Sequence, residues 1–442
     1  MFKHKHIETN THLHTLIIFA LVFLSTIAVL NAKDRNTQPA NDGNTVWYSP
    51  LAVQNAEAAR DALEYSGYYA ANGKKIPVKG NMQQLKSFFD ALNNAKSKKV
   101  HIAHWGDSII LGDIISESFR ENFQKQFGGN GVGFVSFNCD DYGMRNSTIV
   151  KFSTDWKEAS LFKRNADKLP LGINGAVYIP ESGSWVKYEI GKISRTMRNF
   201  VTARLFYANA PGGGVIRYSA GNSPGKTARL ESGASLKELT IEFPANTTSV
   251  KFTFDNCSGG YFYGVSFENG NGVYLDNLPI RGNTGVALAD LPMSLLKEFN
   301  SKLNFKLLII NFGVNVVSPE HSNYIWYEQR MEKVISYLRQ AFPQAGVLII
   351  SVGDKAIKKG TRFVTDPGIP SLLKTQQAIA DKNGTAFYSL FDAIGGENSI
   401  VDWVDANPQL AAKDYCHLTP LGGKVVADNL FESLMNEMKK LK

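Results

Sequence analysis

The feature that most restricts the fold is a set of short runs that are apolar on both alternating faces, separated by amphipathic helices. Val100 to Trp105, Lys306 to Asn311 and Gly346 to Val352 read as buried strands. Helical patterns follow at Tyr324 to Phe342, Pro370 to Lys382 and Pro420 to Leu441, with a further short strand at Ala386 to Leu390. Strands with no polar face, alternating with helices, imply a parallel sheet covered on both sides. Upstream, Met82 to Ala95 reads as a helix with Leu85, Phe88, Phe89 and Leu92 on one face, and Leu111, Ile115, Phe119, Phe123 and Phe127 recur every four residues as the stripe of another.

From about 140 to 279 the helical period disappears. Short alternating strands take its place, among them Ser184 to Ile190, Val201 to Tyr207, Val215 to Ser219, Leu239 to Phe243 and Ser249 to Phe254, with Gly, Asn and Ser between them. This is the pattern of an antiparallel β-sandwich. The expected organisation is one α/β domain built from residues 81–140 and 280–442, interrupted by a sandwich at 141–279. Residues 33–80 are expected to form an N-terminal linker with a short helix near Val53 to Tyr65. The chain has 442 residues, 43% hydrophobic and 20% charged, a composition that excludes a disordered, collagenous or coiled-coil protein.

Lys3 and Lys5 precede an apolar run, Leu16 to Leu30, that ends at Asn31-Ala32. Residues 1–32 therefore read as a secretory signal peptide or, if uncleaved, a membrane anchor. The body of the protein is then expected outside the cytoplasm, in the periplasm or at the cell surface. The formal charge of +8 is spread along the sequence without a basic block. That distribution suggests mild attraction to anionic polymers and not nucleic-acid binding. The three cysteines, Cys139, Cys257 and Cys416, form no Cys-x-x-Cys motif. Whether Cys139 and Cys257 pair is open at this level.

Several motifs can be set aside. Gly221-Asn222-Ser223-Pro224-Gly225 matches G-x-S-x-G, but no helix follows, and Pro224 lacks the N–H that would help bind an oxyanion. His101 and His104 lie three apart on a strand and point to opposite faces, which argues against a shared metal.

The chemistry concentrates elsewhere. Gly106-Asp107-Ser108 follows the first buried strand and opens a helical segment. A hydroxyl there stands at the carboxyl end of a parallel strand, where open α/β sheets place ligands; either Asp107 or Ser108 can cap the turn. Near the chain end, Asp414-Tyr415-Cys416-His417 precedes Thr419-Pro420, a cap and a first-turn proline. The spacing of three lets one turn bring the Asp414 carboxylate to the His417 imidazole. Beyond the leader only His101, His104, His321 and His417 remain, and only His417 has an Asp three residues upstream at an element boundary. An Asp–His–Ser relay is the arrangement that activates a serine nucleophile.

Taken together, these segments resemble the SGNH (GDSL-type) hydrolase family. The resemblance is carried by Gly106-Asp107-Ser108, by Leu278 to Asn283, by Gly313-Val314-Asn315 and by Asp414-x-x-His417. It implies a flavodoxin-like three-layer α/β hydrolase domain with a parallel sheet, with Ser108 as nucleophile, His417 as base and Asp414 as its orienter. It also implies an oxyanion hole from the N–H groups of Ser108 and Gly282, with Gly285 as the alternative, and the side chain of Asn315. Val316 stands where the family often has an acidic residue. The inserted sandwich resembles the branch of bacterial peptidoglycan O-acetylesterases that carries a domain like a carbohydrate-binding module. The implied function is an exported serine esterase that removes O-acetyl groups from peptidoglycan or another extracellular glycan, without metal or organic cofactor. The alternatives are an O-acetyltransferase on the same scaffold and an inactive glycan-binding protein.

Overall fold

The computed structural model describes residues 73–138, 145, 147–163, 165–191, 198–320 and 323–441. The leader, the helix near 53–65, Cys139 and His321 lie outside them. Among the described residues no helix is long and apolar enough to cross a membrane.

Five parallel strands and one antiparallel edge strand make the main sheet. In spatial order they are Lys79–Gly80, Ala386–Tyr388, Gly346–Ile350, Phe305–Asn311, Lys99–Gly106 and Gly272–Pro279; only the first runs antiparallel. The interior positions of these strands are buried on both alternating faces, so the sheet is covered on both sides. One helix group, Lys86–Asn93, Ser116–Phe127 and Pro420–Lys440, meets through Phe88, Phe123 and Phe431. A second consists of Met293–Leu303, Ile325–Ala341 and Ile369–Lys382. Counting the parallel strands in chain order, they lie 2-1-3-4-5. The order reverses between Lys99–Gly106 and Phe305–Asn311, and crevices for ligands open beyond such strand ends.

Two antiparallel sheets form the sandwich. One runs 226–230, 214–220, 249–255, 185–190 and 148–152; the other runs 237–242, 202–208, 261–267, 176–179 and 157–160. Their inner faces share a core that includes Val186, Tyr188, Leu205, Phe252, Phe254, Phe262 and Phe267.

Sheet membership moves both expected boundaries of the insertion. Gly272–Pro279 belongs to the main sheet, paired in parallel with Lys99–Gly106. Gly133–Val135 already pairs with Tyr261–Phe267 of the sandwich. The expected stripe from Leu111 to Phe127 also starts too early: the helix begins at Ser116, because Gly112 and Asp113 take φ of 71° and 69°. The Gly221–Gly225 segment is a hairpin turn between two antiparallel strands.

Candidate active site

Ser108 opens a tight turn directly after the strand Lys99–Gly106 ends. Asp107 is the cap of that turn: its Oδ1 accepts the Ile109 N–H at 3.0 Å. Its Oδ2 accepts the Gly313 N–H, also at 3.0 Å. One buried carboxylate thus joins the Ser108 turn to the 313–315 loop. Burial pushes its pKa up to about 6, against the backbone N–H groups of Ile109 and Gly313. With Asp107 as cap, the Ser108 hydroxyl is left for another partner.

That partner is His417. Its Nε2 lies 2.8 Å from Ser108 Oγ, and its Nδ1 lies 2.7 Å from Asp414 Oδ2. The other Asp414 oxygen accepts the N–H groups of Cys416 and His417, both at 3.0 Å. Burial raises the Asp414 pKa, but its hydrogen bonds to the imidazole and to those N–H groups hold the carboxyl below its ordinary value. The loop is tight: Tyr415 takes φ of 57°, and Ala412 N–H donates to His417 O at 2.8 Å. Thr419 then caps the final helix by accepting the Gly422 N–H, with Pro420 in the first turn. Cys416 offers no competing nucleophile, because burial pushes its thiol up to about 12. Cys257 is a free, buried thiol.

The other expected site residues gather beside this relay. Asn315 is exposed, and its Nδ2 donates to Asn283 O at 3.2 Å. Val316, where an acidic neighbour was expected, is buried, and its N–H donates to Gly313 O at 2.9 Å; the carbonyl of Asn283 anchors Asn315 instead. The two candidate glycines differ. The Gly285 N–H is engaged with Asn283 Oδ1 at 2.8 Å. Gly282 has φ of 72° and its N–H makes no hydrogen bond among the described residues. Sequence reasoning missed the bridging role of Asp107, although the Gly-Asp-Ser tripeptide named it as a cap. It also missed the hairpin of Ala356–Lys359 and Arg362–Thr365, which supports the His417 loop: Ala356 N–H donates to Tyr415 O at 2.9 Å, and the Phe363 and Tyr415 rings stack with centroids 3.7 Å apart.

The remaining histidines are occupied elsewhere. His101 Nδ1 is 3.2 Å from Asp276 Oδ2, and His104 Nδ1 is 2.9 Å from Ser116 Oγ. Among the described residues no group of three or more His, Cys, Asp and Glu is placed to hold a metal ion. Tyr261-Phe262-Tyr263 is mostly core: Phe262 and Tyr263 are buried.

No protein-family model matches this chain, and no curated protein does. Among solved structures it is similar to a peptidoglycan O-acetylesterase. The identity is 19%, the TM-score is 0.67, and the match covers 82% of this chain and 98% of that one. At that identity the likeness is one of fold. Family two carbohydrate esterases from Cellvibrio japonicus and from Clostridium thermocellum, the latter in complex with cellohexaose, match at 10% and 11% identity. They cover 67% and 66% of this chain and 99% of their own, each with a TM-score of 0.28.

Proposed function

We propose that the chain is a serine esterase of the SGNH type that removes O-acetyl groups from an extracellular glycan, peptidoglycan being the leading candidate. The observation that carries this reading is the continuous relay Asp414–His417–Ser108, at 2.7 and 2.8 Å, at the strand end where the sheet order reverses. The fold likeness to a peptidoglycan O-acetylesterase supports it, and the apolar leader supports export.

In this mechanism His417 takes the Ser108 proton as the hydroxyl oxygen bonds to the acetyl carbonyl carbon. The carbonyl oxygen becomes an oxyanion, held by the N–H groups of Ser108 and Gly282 and by Asn315 Nδ2. The bond to the sugar oxygen then breaks, and His417 returns the proton to that oxygen. Water attacks the acetyl carbonyl carbon with His417 again as base; the bond to Ser108 Oγ breaks, His417 returns the proton to that oxygen, and acetate leaves. Asp414 holds the imidazole with Nε2 toward the serine and stabilises its charged form.

The test is acetate release from O-acetylated peptidoglycan and from a small acetyl ester. Ser108→Ala and His417→Ala should each remove nearly all of both activities, and the double variant should be little worse than either, because such residues act as a unit. Mass spectrometry of the trapped intermediate should place the acetyl group on Ser108. Near-normal turnover in Ser108→Ala would sink the reading.

A further inference from the structure

The hairpin that backs the His417 loop carries an unusual surface. Lys358, Lys359 and Arg362 are exposed on it, Lys355 precedes it, and Lys413 lies exposed at the start of the Asp414–His417 segment. None of these five side chains has an ion-pair partner among the described residues, whereas elsewhere lysines pair repeatedly, as in Lys86–Asp90, Lys151–Glu189 and Lys424–Asp428. The nearby acids are Asp354 and Asp366, both buried, Asp414, which is engaged with His417, and exposed Glu397, whose neighbour Asn398 bonds Thr365; none of them pairs with the five cations among the described residues. In sequence the five cations are spread over 355–413; strand pairing and the loop contact gather them.

Two details of register matter. Lys359 stands directly across from Arg362, and like charges opposite one another destabilise a strand pair. Lys358 stands directly across from Phe363, so both project from one face of the hairpin. Phe363 stacks on Tyr415, two residues before His417. Lys358 therefore shares the face that meets the loop holding the catalytic base, while Lys359 and Arg362 project from the opposite face at the hairpin's tip.

We propose that the hairpin 356–365 binds carboxylate groups carried by the glycan chain, so that the preferred substrate is an acidic acetylated glycan and not a neutral one. This rests on the esterase reading above and adds the charge of the chain that the site accepts. Its exposed surface is charged and lacks large apolar side chains; the exposed large hydrophobics are Phe162, Ile325 and Trp326. That favours a soluble polyanion over a lipid surface, into which apolar side chains would insert.

The test compares the full chain with a Lys358→Gln/Lys359→Gln/Arg362→Gln variant that retains Phe363. The probes are an O-acetylated polyuronate and the same polymer with its carboxyls converted to amides. At about 20 mM salt the variant should show a KM about five- to tenfold higher on the acidic polymer with kcat nearly retained, and the wild-type advantage should fade as salt approaches about 0.3 M. On the amidated polymer the two proteins should match. Equal KM values on the acidic polymer, or an equal rise on both polymers, would overturn the proposal. So would a variant that loses binding to anionic phospholipid vesicles while its affinity for the polymer is unchanged. Binding measured in the Ser108→Ala background separates the two readings. If no ester is cleaved yet that protein still loses affinity for the acidic polymer on hairpin neutralisation, the esterase reading falls and the carboxylate site stands.

Discussion

Both oxygens of Asp107 are engaged inside the site, one on the Ser108 turn and one on the 313–315 loop. The Ser108 turn and the loop that carries Asn315 thus hang from one buried side chain, and the Asn283 carbonyl holds the exposed Asn315 amide, so in the proposed mechanism Asn315 is a positioned donor. Removal of a single fixed oxyanion donor typically lowers kcat about 10²–10³-fold. Asn315→Ala should do so with KM moved much less, measured as steady-state hydrolysis of a small acetyl ester. A matching rise in KM at constant kcat would make Asn315 a binding residue instead. At this scale much was legible from sequence. The serine, the histidine and the aspartate stand out because each sits at an element boundary with the right neighbour. Which of Gly282 and Gly285 keeps its N–H unengaged was not legible, because it depends on which N–H the Asn283 side chain occupies.

Elements decide how long the relay holds its geometry. Tyr415 sits at φ of 57° between Asp414 and His417, a backbone state that non-glycine residues adopt only when the surroundings insist. The insistence comes from the hairpin, through the Ala356–Tyr415 hydrogen bond and the Phe363–Tyr415 stack. A ring pair of this kind is worth about 0.5–1.5 kcal/mol beyond its burial. Phe363→Ala should therefore lower kcat about three- to tenfold, while KM for a small ester and the global melting transition change little. Phe363→Tyr should restore the rate. An unchanged kcat in Phe363→Ala would mean that the loop holds itself. The buried strands were readable from their apolar runs, whereas this hairpin was not. Four residues a side, rich in lysine and with one aromatic ring, carry no period that separates them from a loop. The early start assigned to the Ser116–Phe127 helix has a similar cause: Leu111 is buried like a helix-stripe residue, but it belongs to the turn that presents Ser108.

For the whole molecule, the question is how the sandwich is joined to the α/β sheet. Gly272–Pro279 lies inside the expected insertion at 141–279 but pairs in the main sheet, and its Asp276 and Asn277 interrupt the apolar run that marks the other buried parallel strands. Both side chains are in fact buried and paired. Asp276 accepts the Phe134 N–H at 2.8 Å and meets His101, and Asn277 bonds Ser116 and the Ile110 carbonyl. His101, on the strand Lys99–Gly106, also faces Glu268 just past the end of a sandwich strand, 3.6 Å from its Nε2. Arg204 of the sandwich and Lys99 of the main sheet bond the same Glu268. Burial opposes a charged imidazole here, but Glu268 and Asp276 outweigh it and raise His101 to about 9 from an ordinary 6.5. A histidine whose pKa is raised by folding stabilises the fold fully below its unfolded pKa. That contribution shrinks between about 6.5 and 9 and is gone above 9. The shift corresponds to about 3 kcal/mol at 1.36 kcal/mol per pKa unit. Denaturant unfolding followed at pH 6, 7.5 and 9.5 should show the wild-type chain losing stability of that order across the range. The His101→Gln variant, less stable at pH 6, should lose much less over the same interval. Parallel slopes for the two proteins would show that the junction is not held by a charged His101. The loss should appear first as separation of the two parts, with sandwich tryptophans such as Trp185 reporting a transition distinct from that of Trp403 in the α/β domain.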